Sequence, residues 1–373
     1  MRTSIVSAVS LVGLSCLSVV SAAPFTYKND PLSNGFPNLA AGDKGKAELA
    51  AIEQQALGSL SNAPPPPVKP QNDSLTSLRL IAFNELFEVA FFTELLSNLT
   101  NEVDGYQIHH QGAHDFIVRA LTAVQAQEEL HVLNANNALA HFNESIILPC
   151  EYNFPVSNFE DAIALASTFT DLVLGTLQDV QTVFGADGDV GLIRGVGSVI
   201  GQEGEQNGFY RQLLDKTPSA LPFLTTSTRE FAFSALQGFV VPGSCGNLDA
   251  IDLPIFAPLT VDATPLDCPE PKPVNLDFSF TLPSSPAPAA WGSDYAGLSL
   301  VYINQQNLPV VEPLLNPATS NGVVTFQALF PFNGTTFGNG LTIAAVTNSS
   351  GPFANANAVA NHTVFGPGLI EVH

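Results

Sequence analysis

Between residues 75 and 237 the apolar residues return every three or four positions through four long stretches, and this spacing constrains the chain more than any other feature. The first stretch, 76–99, places Leu80, Phe83, Phe87, Phe91 and Leu95 on one helical stripe. The second, 112–142, does the same with Phe116, Ala120, Ala123, Leu130, Leu133 and Ala138. The third opens at Asn158, whose side chain can cap the free amides of a helix carrying Phe159, Ile163, Ala166, Phe169, Val173 and Leu177. A fourth covers 190–215, beyond the turn Gly185-Ala186-Asp187-Gly188-Asp189, and a shorter helix at 228–236 is expected to pack on the outside. Helices of roughly 20 to 30 residues can each bury one stripe only by facing one another, which is the logic of a four-helix bundle.

The flanks read differently. Residues 1–23 have the three parts of a cleavable secretory signal: Arg2, an apolar run over 5–20, and the small residues Ser21, Ala22 and Ala23. Residues 24–74 form an extended, proline-rich leader ending near the run Pro64, Pro65, Pro66 and Pro67, with room for a short helix at 46–57. Pro265, Pro269, Pro271 and Pro273 mark 241–274 as a linker. From 275 to 373 the period becomes two, with apolar stretches at 298–303, 323–329 and 341–346 separated by Asn, Gly and Pro. The expected fold class is α+β and multidomain, a helical bundle at 75–240 followed by a small β-sandwich-like domain at 275–373.

Only 12 Lys and Arg stand against 34 Asp and Glu, a formal charge of -22 that repels phosphate backbones and argues against nucleic acid as a partner. No stretch after the signal approaches the about 20 uninterrupted apolar residues of a membrane span. Export makes the Asn-x-Ser/Thr sequons at Asn72, Asn98, Asn143, Asn333, Asn348 and Asn361 candidate glycosylation sites. Removing Cys16 with the signal leaves Cys150, Cys245 and Cys268. Cys150 to Cys245 is the expected disulfide, with Cys245 to Cys268 left open by spacing alone.

Chemistry concentrates in the bundle. Glu128 and His131 lie three residues apart on one helix, so a carboxylate and an imidazole can converge on one ion. Glu85 interrupts an otherwise apolar stretch, where a carboxylate facing the core needs a proton, a partner or a metal. Glu203 and Gln206 repeat the three-residue spacing with glutamine in the imidazole's place. His109, His110 and His114 read as a solvated loop, and Asp187-Gly188-Asp189 lacks the further spaced oxygens of a calcium loop.

With those residues in view, 75–239 resembles the ferritin-like domain of secreted fungal proteins that include the late sexual development protein and its stress-response relatives. The resemblance implies Glu85 as the lone carboxylate of the first helix, Glu128 as a bridging carboxylate and His131 as the imidazole ligand. In the third helix it points to Thr170 and Asp171, and in the fourth to Glu203 and Gln206, where the family pattern has Glu and His. The cofactor implied is iron or another divalent metal, and the departures leave room for none. Three functions follow: a non-enzymatic or weakly metal-binding extracellular or cell-wall protein tied to development or stress; a metal-dependent oxidase or peroxide-consuming enzyme; and adhesion to cell-wall polysaccharide through the C-terminal domain.

Overall fold

The computed structural model describes residues 36–37, 42–263, 266, 270–283 and 287–372, so the expected signal segment at 1–23 and Cys268 lie outside the described residues. Among the described residues, six α-helices come first: α1 (Asp43–Ala56), α2 (Asn72–Thr100), α3 (Gln111–His141), α4 (Phe159–Asp187), α5 (Ile193–Leu213) and α6 (Arg229–Leu236). They are followed by β1 (Thr260–Asp262), β2 (Val274–Thr281), β3 (Ser299–Asn304), β4 (Val310–Pro313), β5 (Leu315–Ser320), β6 (Val323–Phe330) and β7 (Gly340–Thr347). The short α7 (Ala356–Ala360) and β8 (Thr363–Val372) complete the chain.

The helix at the centre is α2, which packs against α3, α4 and α6. Its expected stripe of Leu80, Phe83, Phe87, Phe91 and Leu95 is at most 2% exposed, but so are Ala82, Leu86, Val89 and Phe92 on its other faces. A helix apolar around its circumference belongs in the middle of a domain, and here it does so with neighbours on several sides. Phe87 and Phe91 meet Phe169 of α4 edge-on at 5.2 and 5.1 Å, the geometry that aromatic quadrupoles favour.

The stripe on α3 differs from the expected one. Its inward residues are Ile117, Leu121, Val124, Glu128, Val132, Ala135 and Leu139, a run that carries Glu128 in phase with the core. Phe116 is instead half exposed and packs edge-on against Phe209, while Leu130 and Leu133 turn to α1 and its Ile52 and Ala56. Part of the presumed leader is therefore a helix seated on the bundle.

Local contacts set the helix register. Asp187 and Asp189, at the end of α4, accept hydrogen bonds from the backbone amides of Ser74 and Gln71, so the acidic turn caps α2. His110 caps α3 through Ala113, and Asn158 caps α4 through Asp161 as its sequence position predicts. Gly175 lets the chain after α5 pass against α4, since a Cβ there would lie 2.1 Å from the Thr225 carbonyl oxygen.

Beyond the helices lie two antiparallel sheets, ordered β1-β2-β6-β5 and β4-β3-β7-β8. Leu276, Phe278, Phe280 and Phe326 of the first share an apolar cluster with Leu300, Tyr302, Ala344 and Val346 of the second. The second sheet is buried on its other face as well, where Val301, Ile303, Ile343 and Ala345 meet Phe231 and Ala232 of α6 and Leu172 of α4. That places α6 between bundle and sheet, which corrects the expectation of an outside helix. Arg229 at its start donates to Asp73 Oδ1 at 3.0 Å, and its amide donates to Asp179, which also accepts from Asn357 of α7. The segment 241–274, expected as a linker, contributes β1 to a sheet and Ile251 to the bundle core.

Cys150 and Cys245 form a disulfide across a separation of 95 residues. It stands beside the backbone bridge between Tyr152 and Val240, so the cross-link fastens the start of α4's approach to the exit from α6. Replacing Cys150 and Cys245 by Ala is predicted to lower stability by about 2 to 5 kcal/mol, read as a loss of midpoint in chemical unfolding that reductant reproduces in the parent. Gly175→Ala is predicted to cost about 1 to 3 kcal/mol or more by forcing α4 off Thr225, measured in the same assay against Gly201→Ala, whose added Cβ meets nothing within 4 Å.

Candidate metal centre

Three helices deliver the site. Glu85 comes from α2, Glu128 and His131 from α3 and Glu203 from α5, and one ligand-capable atom from each lies within 4.8 Å of the others. Among the described residues this is the cluster of His, Cys, Asp and Glu that could hold an ion. The three glutamates are 0% exposed, and the His131 side chain reaches only 16%. His131 Nδ1 lies 2.7 Å from Glu128 Oε2, 3.3 Å from Glu85 Oε2 and 3.7 Å from Glu203 Oε1.

The carboxylates are unequally satisfied. Glu128 has both oxygens engaged, one by His131 and the other by Gln206, whose Nε2 donates to Oε1 at 2.7 Å. Glu85 Oε1 and both oxygens of Glu203 are buried without a hydrogen bond. Burial pushes the Glu85 carboxyl up to about 7 against the pull of His131, and it drives Glu203 well above the usual carboxylate range, with Glu85 and Glu128 adding to the effect. Burial opposes a charge on His131, yet Glu128 and Glu85 outweigh it and hold the imidazole protonated well above its ordinary value.

Orphaned carboxylate oxygens beside an imidazole, in an apolar interior, are a donor set that suits one divalent cation, because hard oxygen and borderline nitrogen ligands replace its water. The residues present fit such an ion. A buried carboxylate left alone costs free energy unless it takes a proton or a metal.

One participant escaped the sequence reading. Glu88, one turn beyond Glu85 on α2, is 1% exposed, with one oxygen accepting from Asn84 at 3.0 Å and the other unpartnered. Burial lifts its carboxyl well above the ordinary range, and Glu128, Glu203 and Glu85 reinforce the shift. The signal was available, because Glu88 interrupts the same apolar stretch as Glu85 and stands at the spacing that brings side chains together on a helix.

Asp171 is elsewhere. It lines a cavity of about 170 Å³ with Asn207, Arg211, Thr225 and Leu341, away from the cluster, and its Oδ2 is buried without a hydrogen bond. On α4 Thr170 is buried as well, and Ser167 donates to Asn207 at 2.7 Å, so the helix adds no carboxylate to the cluster. The six sequon asparagines lie apart from the cluster; Asn72, Asn143, Asn333, Asn348 and Asn361 are exposed and Asn98 is half-buried. His114, in the first turn of α3, has Nε2 3.4 Å from the Leu99 carbonyl oxygen, and His110 caps the same helix.

A family model described as Ferritin-like domain matches residues 78–216, the span that holds Glu85, Glu88, Glu128, His131, Glu203 and Gln206. It leaves out α1, α6 and both sheets. No curated protein matches the chain.

Burial raises the Asp171 carboxyl from 3.8 to about 6, against Arg211, Asn207 and Lys216, so the folded chain holds that proton more tightly than the unfolded chain does. Its contribution is present below pH 3.8 and lost as pH rises through about 6. Asp171→Asn is predicted to flatten the decline in thermal stability across that window, and an unchanged slope would count against the assignment.

Proposed function

We propose that this chain is an exported glycoprotein whose ferritin-like bundle binds a divalent metal ion between Glu85, Glu128, His131 and Glu203. The observation that carries the reading is Glu203, fully buried with neither oxygen hydrogen-bonded, facing the His131 imidazole within a cluster of ligand atoms. A cation balances the carboxylates that α2, α3 and α5 hold together. When bound, it supplies fixed positive charge and, in the case of iron, one-electron chemistry.

The rest is done by the protein's own groups. Glu128, pinned by Gln206, keeps one oxygen directed at His131 Nδ1, and Glu85 approaches the same nitrogen from α2. Tyr210, itself 0% exposed, closes in from α5 with its hydroxyl 3.5 Å from Gln206 Oε1. Binding is favoured over turnover, because α4, with Thr170 and Asp171 at the candidate positions, adds no carboxylate to the cluster, and α5 offers Gln206 where a paired-iron site takes an imidazole.

Export is supported by the apolar run over 5–20 and by the disulfide, which persists in oxidising compartments. The resemblance to secreted fungal proteins of sexual development and stress extends the proposal to an extracellular or cell-wall role in one of those settings.

Protein from a secreting host, stripped with chelator, is predicted to bind Co(II) and to gain thermal stability in proportion to its occupancy. His131→Ala is predicted to weaken binding by about 100-fold, as loss of one of four ligands should. Failure of the parent chain to take up Co(II), Mn(II), Fe(II) or Zn(II) would end the metal reading.

A further inference from the structure

We infer that Gln127 is a positioning residue that holds Gln206 as a hydrogen-bond donor on Glu128 and thereby limits the centre to a single ion. The inference rests on the metal reading above and adds to it a residue outside the ligand set.

A glutamine in an imidazole's place is ambiguous, because its Oε1 can ligate a hard cation and its Nε2 cannot. Which end faces the cluster is decided by its neighbours. Gln206 Nε2 donates to Glu128 Oε1 at 2.7 Å and to Gln127 Oε1 at 3.1 Å. Gln127 Oε1 also accepts from Gln202 Nε2 at 3.1 Å, so both neighbouring amides donate to it. Its own Nε2 then donates to the Ala56 carbonyl at 3.2 Å, a backbone acceptor that cannot reverse its role.

Direction therefore enters the chain of amides from Ala56, the last residue of α1, and passes through Gln127 and Gln206 to Glu128. Gln206 Oε1 accepts from the Tyr210 hydroxyl at 3.5 Å. Reversing Gln206 alone would set its carbonyl oxygen against the Glu128 carboxylate and the Gln127 carbonyl, losing two hydrogen bonds for two repulsions where Gln206 is 6% and Glu128 0% exposed. A second ion approaching Glu128 Oε1 would meet the Gln206 N–H group that already occupies that oxygen. Glu88, one turn along α2 from Glu85, has one oxygen held by Asn84.

The test is Co(II) titration of chelator-stripped protein, read by native mass spectrometry for stoichiometry and by the visible Co(II) spectrum for ligand environment. The parent chain is expected to stop at one Co(II), and Gln206→His to accept two. Gln127→Ala, with Gln127→Met as a second variant of similar bulk should the first fail to fold, is expected to admit a weaker second Co(II) and to alter the spectrum. A parent that binds two ions overturns the inference and leaves the metal reading standing. Gln127 variants that fold, bind one Co(II) and keep the parent spectrum remove Gln127 from the role. A parent that binds none removes the reading on which both rest.

Discussion

Carboxylates taken wholly out of water govern this structure. Glu85, Glu128 and Glu203 are 0% exposed inside a bundle whose other interior groups are mostly phenylalanine and leucine, and their burial has to be compensated by a proton, a donor or a cation. Glu128 is compensated from two directions, by His131 and by Gln206, whereas Glu203 is not hydrogen-bonded at all. The asymmetry leaves Glu203 with oxygens that could take a cation, which a polar network closed on itself would not have.

Holding those groups in place takes more than the four long helices. Asp187 and Asp189 cap α2 and fix its register against α4, which determines the level at which Glu85 and Glu88 enter the core. Helix α1 lies on the outer face of α3 and orders the glutamines above the cluster through Ala56. Helix α6 joins the bundle to the second sheet, whose strands β3 and β7 are buried along their full lengths because both of their faces are covered. Helical and β regions share an apolar interface there, so a disturbance of either is felt by the other.

Legibility followed periodicity. The stripe of α2 was read correctly because large aromatic residues at helical spacing dominate it, and β3, β6 and β7 were recognisable as short apolar runs between turn residues. On α3 the reading was rotated: small alanines at 120, 123 and 138 carry little information about which face is inward, and a second apolar face packs on α1. The resemblance points to Asp171, but its position on α4 sets it toward Arg211 and Asn207 instead. The stripe alone does not separate Glu88 from Glu85, since α2 is buried nearly all round and takes both into the interior.

By itself the amino-acid sequence determined that helices form over these spans, that Glu128 and His131 share a helix face and that Glu85 lies among apolar neighbours, because all three follow from spacing along a 3.6-residue turn. Tertiary structure alone decided that Glu203 meets His131, that Gln206 offers its nitrogen and not its oxygen, and that α1 takes part through Gln127. Such relations join residues 71 to 78 positions apart, where helix rotation and amide orientation depend on what the neighbouring elements present.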